Sequence, residues 1–274
     1  PWQATKSNIP RIPTRSGEAR RKQFPINSSQ NIFTKVRMFY FVPMQAMTPS
    51  QAPPSDSSPW DRIQSELRNH PGCTLVAVSK TRSVDEIRQL YDRGQRDFGE
   101  NHALELQSKA RELPEDIRWH FIGHLQTNKV KTILPYVHLI HSVDSPRLVD
   151  EIQKRAAAAN CQVGILWQVH IAQEETKHGF EPESLLQFLE ECPPSTYPNL
   201  RPRGLMGMAT FSEQSEDARS EFAFLKKFSE RVKQQFYAND SAFEVLSMGM
   251  SGDYSIALQE GSTMLRIGSL LFER

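Results

Sequence analysis

Residue 80 is a lysine that closes an apolar run, Leu75 to Val78, with Ser79 before it and Thr81 after it. In water its amine is a protonated surface charge. At the rim of an apolar barrel the same amine can lose its proton and condense with an aldehyde to form a Schiff base. The alternative is that the strand simply ends and the lysine snorkels to solvent. A second chemically loaded region lies near the C-terminus, in "SMGMSGD" (247–253) and "LRIGS" (265–269). Small residues such as Ser247, Gly268 and Ser269 let backbone amides approach an anion, and a following helix start adds a favourable dipole. Ordinary tight turns use the same glycines. Arg266, between these stretches, carries a guanidinium that donates only and stays protonated.

These residues need elements to hold them. Apolar runs occur at Thr74–Val78, Asp97–Gly99, Trp119–Ile122, Val137–Val143, Val163–Ile171, Gly204–Ala209, Phe243–Met248 and Met264–Ile267. Helical stretches separate them. "SVDE" at 83–86 reads as a capping box, Ser145–Pro146 as an N-cap followed by a first helical proline, and 216–236 as a helix with acids early and bases late. Eight buried strands alternating with helices predict an α/β fold, a parallel (β/α)8 TIM barrel over 57–274. No GxGxxG follows the first strand, which argues against a dinucleotide fold. In such a barrel the chemistry sits where strands end, and the last two turns are the usual phosphate site. Polar residues crowd those ends: Lys80, Glu100–Asn101, His124, Ser142, His170, Thr210, Ser247 and Gly268–Ser269.

Composition narrows the rest. The 274 residues are 38% hydrophobic and 24% charged, as expected of a soluble globular chain. No apolar run approaches the roughly 18 residues that cross a bilayer. The three cysteines are far apart and in no CxxC or CxxH spacing, and no HExxH occurs among the eight histidines. Neither a disulfide framework nor a metal site is expected, and a reducing cytoplasm is the natural compartment. Net charge is +1, yet residues 1–56 hold eight Lys/Arg against Glu18 and Asp56, so the rest carries −5. That basic leader and linker, 1–56, is expected to be a disordered extension. It lacks the aromatic–basic interleaving of a nucleic-acid-binding segment.

A reactive lysine on the first strand and a phosphate cradle on the last two suit pyridoxal 5′-phosphate (PLP). "AVSKT", "FGEN", "WHFIGHLQTNK", "HSVDS", "LMGMA", "LSMGMSGD" and "GSTMLRIGS" occur in order over about residues 60–274. On these motifs the chain resembles the pyridoxal phosphate homeostasis proteins, whose barrel is similar to the N-terminal domain of alanine racemase. The resemblance implies Lys80 as the Schiff-base lysine and Ser247, Gly268 and Ser269 at the phosphate. It implies Arg266 facing the pyridine nitrogen, with Asn101 and Ser142 lining the ring. His124 and His170 depart from the proline and asparagine common in relatives.

A cationic donor at the ring nitrogen disfavours its protonation and weakens the electron sink needed for carbanion chemistry. The chain also ends directly after the eighth strand, where alanine racemase continues into a second domain. The implied function is therefore a PLP-binding protein of intracellular PLP homeostasis, with no catalytic residue and no turnover. It is expected to be a monomer that releases PLP to apo-enzymes or free amino acids, without nucleic-acid or membrane partners. The alternatives are a PLP-dependent amino-acid racemase, for which His170 and Tyr254 are weak second acid/base candidates, and a Schiff-base aldolase.

Overall fold

The computed structural model describes residues 58–172, 178–210 and 215–272. The chain divides into units 1–51 and 52–274, and the leader and linker at 1–56 lie outside the described residues. The order of elements is α1 (Pro59–Leu67), β1 (Thr74–Val78), α2 (Val84–Asp92), β2 (Asp97–Glu100), α3 (Ala103–Glu112), β3 (Arg118–Phe121), α4 (Val130–Ile133) and β4 (Val137–Val143). Then follow α5 (Pro146–Ala158), β5 (Val163–Gln168), α6 (Pro182–Glu191), β6 (Leu200–Met206), α7 (Ser215–Phe236), β7 (Val245–Ser247), α8 (Tyr254–Gln259) and β8 (Met264–Ile267).

Each strand pairs in parallel with the next, and β1 pairs with β8 to close the barrel. The expected (β/α)8 architecture is present. Local signals behave as chemistry requires. Ser83 accepts from the Glu86 amide while Glu86 reaches back to the Ser83 amide, so α2 starts on a complete capping box.

Alternation along the strands builds two apolar layers. Leu265 and Ile267 of β8, like Ile140 of β4, face outward into the large core beneath the helices. Val76, Leu139, Leu166, Met206 and Met264 form a smaller cluster inside the barrel. Gly204 makes one contact possible: its φ is +148°, and a Cβ there would lie 1.8 Å from the Val245 carbonyl oxygen. The residue lets β6 lie against β7, a close approach that a side chain forbids.

Candidate functional site

Arg266 pairs across the sheet with Val76, which places it in the barrel interior on β8. It is 4% exposed. Its Nη1 donates to Ser247 Oγ at 2.6 Å and its Nη2 to the Gly207 carbonyl at 3.0 Å. Burial draws its pKa down to about 10, so it remains a cation at neutral pH. No carboxylate forms an ion pair with it among the described residues. A buried cation is costly even with the Asp253 charge acting on it from beyond ion-pair distance, and three of its five N–H donors remain for a ligand.

The bond to Ser247 begins a string of buried polar groups that crosses the barrel. His141 Nδ1 lies 3.0 Å from Ser247 Oγ, His141 Nε2 lies 2.8 Å from His120 Nδ1, and His120 Nε2 lies 3.0 Å from Asp97 Oδ1. The two ends fix the direction of every bond. Ser247 Oγ accepts from Arg266, so its own proton goes to His141 Nδ1. His141 then donates through Nε2 to His120, and His120 donates through Nε2 to the Asp97 carboxylate. This assignment leaves both imidazoles neutral and both in the Nε2–H tautomer. Burial, aided by the Arg266 charge, holds His141 well below the ordinary imidazole range, in accord with a neutral ring. Burial alone would raise Asp97, but hydrogen bonds from His120 and Arg118 outweigh it and bring the carboxyl to about 2.

The loop that carries Lys80 is clamped from below. Ser79 is fully buried. Its amide donates to the Gly99 carbonyl at 2.9 Å and its hydroxyl to Glu100 Oε1 at 2.6 Å. The buried Lys109 on α3 donates to the Ser79 carbonyl at 2.7 Å and to Glu100 and Glu105 at 2.8 and 2.7 Å. Glu105 also receives the Thr81 amide at 2.7 Å. Thr81 takes φ +64°, a left-handed conformation costly for a β-branched residue, and this hydrogen bond helps to hold it. Burial raises the Glu100 pKa against the opposing pull of Lys109 and Ser79. Lys80 itself is exposed at the end of β1, and its side chain makes no hydrogen bond or ion pair among the described residues.

The remaining expected residues fall as follows. Gly268 and Ser269 directly follow β8, which neighbours β1, and a Cβ on Gly268 would sit 3.2 Å from Val78. Ser247 ends β7 with no exposed surface, bonded to Arg266 rather than open at the rim. In the turn after β7 the Met250 amide is already taken by Asp253, at 2.6 Å. Asn101 follows β2 and Ser142 lies on β4. Asn101 Oδ1 and Ser142 Oγ, like Glu100 Oε2, are buried without a hydrogen-bond partner among the described residues. Orphaned polar atoms at strand ends are what a bound polar ligand would satisfy. His124 and His170 bond instead to Asp144 and Glu181, at 3.1 and 2.8 Å.

Sequence reasoning did not single out Asp97, His120, His141 or Lys109. The signal was present: Asp97, His120, His141, Ser247 and Arg266 are buried polar positions on strands 2, 3, 4, 7 and 8.

A closed parallel barrel with a lysine at the mouth of its first strand and a buried arginine in its last is an alanine-racemase-like barrel. Alanine racemase of Clostridium difficile shares that fold at a TM-score of 0.61 and 14% identity, covering 77% of this chain and 56% of that one. No family model matches the chain. The pyridoxal phosphate homeostasis protein of Aquifex aeolicus is 42% identical over 199 residues, 72% of this chain and 85% of that protein. The human pyridoxal phosphate homeostasis protein is 36% identical over 210 residues, 72% of this chain and 75% of that one. The structure of PipY from Synechococcus elongatus with PLP bound has a TM-score of 0.69 and 32% identity, covering 78% of this chain and all of that one. The chain belongs to the pyridoxal phosphate homeostasis protein family.

Proposed function

We propose that the chain binds PLP at the C-terminal mouth of the barrel, holds it covalently through Lys80, and releases it, serving PLP homeostasis without catalytic turnover. When bound, PLP supplies a reactive aldehyde, an aromatic nitrogen heterocycle and a phosphate dianion. The observation that carries the reading is Arg266, a buried cation with donors to spare and no carboxylate within ion-pair distance among the described residues. It suits a ligand that brings an acceptor nitrogen and negative charge. Asn101 and Ser142 support it, because each offers a buried polar atom that lacks a partner. Gly268 and Ser269, beside β1, would hold the phosphate through their backbone amides.

Ser247 has a double part. Its hydroxyl accepts from Arg266, and its proton is directed to His141, so the guanidinium is fixed in place and kept cationic. A cation in that position cannot accept a proton and does not favour protonation of a ring nitrogen facing it. The electron-withdrawing power needed to loosen an amino acid's α-proton is therefore withheld. This favours a carrier over a racemase. The described residues comprise no membrane-crossing helix, and the expected partners are PLP itself, apo-enzymes and free amino acids.

The deciding experiment is spectroscopic. The purified protein should absorb near the visible, and borohydride should fix the chromophore to the chain at Lys80. Lys80→Ala should lose that band on dialysis while retaining its circular dichroism. Retention of the full band would move the attachment to another lysine. The absence of turnover is tested separately, with L-amino acids in deuterated water. No α-deuterium should appear beyond that produced by free PLP, whereas rapid exchange would restore the racemase.

A further inference from the structure

On the other side of the mouth from β8 and β1, three loops bring together two imidazoles and a carboxylate that the reading above does not use. His124 follows β3, Asp144 directly follows β4, and His178 lies beyond β5. One ligand atom from each lies within 4.8 Å of the other two. We propose that His124, Asp144 and His178 form a binding site for a divalent transition-metal ion at the rim of the barrel.

The geometry fits. His124 Nδ1 lies 3.1 Å from Asp144 Oδ2. Neighbouring ligand atoms around an ion with bonds of about 2.0–2.2 Å lie roughly 3–3.5 Å apart, so this pair is already at coordination spacing. The His124 and His178 rings stack face to face at 4.2 Å between centroids and 19° between planes. The exposed His178 ring must turn out of this stack for its nitrogen to aim at an ion held by the other two.

The ligands are also supported from behind, as metal ligands generally are. Ser145 Oγ donates to the other oxygen of Asp144 at 3.1 Å. The buried Gln168 side chain donates to the His178 carbonyl at 2.6 Å, and the Val169–Phe180 bridge ties that segment to β5. The Asp144 side chain is 9% exposed and that of His124 46%, so the carboxylate is fixed within the protein while the site opens to water. Two imidazoles, one carboxylate and open positions suit Zn²⁺ or Co²⁺ better than Mg²⁺ or Ca²⁺. Sequence inspection passes over the site because its ligands stand 20 and 34 residues apart and match no contiguous motif.

The test uses full-length protein stripped with chelator and titrated with Co²⁺ at pH 7.5, read by visible absorbance and calorimetry. One ion per chain should bind, and Zn²⁺ should displace it. His124→Ala, Asp144→Asn and His178→Ala should each lower affinity at least about tenfold. His124 and His178 are exposed, and circular dichroism checks that all three variants fold. Residues 1–57 contain no histidine or cysteine, so the leader supplies no competing imidazole or thiolate. Absence of saturable binding below about 1 mM, or binding unchanged in the His124→Ala/His178→Ala double variant, would leave only a hydrogen bond and a ring stack and overturn the site. Neither result bears on covalent attachment at Lys80, which follows β1 and is read by borohydride fixation rather than by metal binding.

Discussion

At the scale of single residues, Asp97 anchors the buried string that ends on Arg266. Its carboxyl is held near 2 in the folded chain, against 3.8 for a free aspartate. The folded state therefore binds fewer protons than the unfolded one between those values, and stability rises with pH there. Asp97 should contribute about 2 kcal/mol above pH 4, lost as pH falls through 2. Asp97→Asn should lower the urea-derived stability at pH 7 by a similar amount and flatten the acid limb. An acid limb unchanged by the substitution would assign that stability to other carboxylates. The direction of the string gives a second prediction. Nitrogen-15 spectra should find both His120 and His141 protonated on Nε2, with His141 neutral at pH 7. A cationic His141, or one protonated on Nδ1, would reverse the bond to Ser247 and remove the explanation offered for how Arg266 is held.

At the scale of elements, the clamp on the β1–α2 loop depends on one side chain of α3. Lys109 sits between Glu100 and Glu105 with only 7% of its side chain exposed. Removing one member of a buried ionic set strands the others, at a cost of about 3–5 kcal/mol. Lys109→Met should show that loss in urea and should speed hydrogen exchange at the Thr81 amide. Adding Glu100→Gln should restore part of the stability, because no buried carboxylate is then left unpaired beside the missing amine. No recovery would mean that Lys109 acts by packing rather than by charge. How legible these elements are depends on what each signal measures. β1, β4 and β8 have the bounds their apolar runs suggest. β6 starts at Leu200 rather than Gly204, because "RPR" reads as a turn while its backbone still pairs with β5 through Pro202. β5 stops at Gln168, and Val169 continues only as an isolated bridge to Phe180. Alternation reports burial and says little about where a ladder ends. The same limit hid His120 and His141: a histidine in an apolar strand reads as core until barrel closure sets it against residues from other strands.

At the scale of the whole molecule, the barrel and the basic leader differ in what holds them. The closing β1–β8 ladder, the string from Asp97 to Arg266 and the Lys109 clamp lie wholly within residues 74–267. α1 adds its own anchorage: Ser58 caps it, Trp60 and Ile63 are buried, and Arg93 both pairs with Asp61 and lies over the Trp60 ring. A truncation must therefore begin before Ser58 to leave these contacts whole. Residues 1–56 carry +6 of a total of +1, with neither helical nor strand periodicity to gather their apolar residues onto one face. The leader should thus be independent of the PLP-binding unit at 57–274, a division drawn from composition and from the contacts just named. Deleting residues 1–56 should leave the thermal midpoint within about 2 °C and the near-visible absorbance per chain unchanged; a 1 kcal/mol loss would shift the midpoint by about 2–4 °C in a chain of this size. Loss of soluble protein would make the leader part of the folding unit. A fall in the absorbance band at unchanged stability would instead place some of the leader's positive charge at the mouth of the barrel, acting on the phosphate, and salt should then weaken PLP binding in the full chain but not in the truncated one.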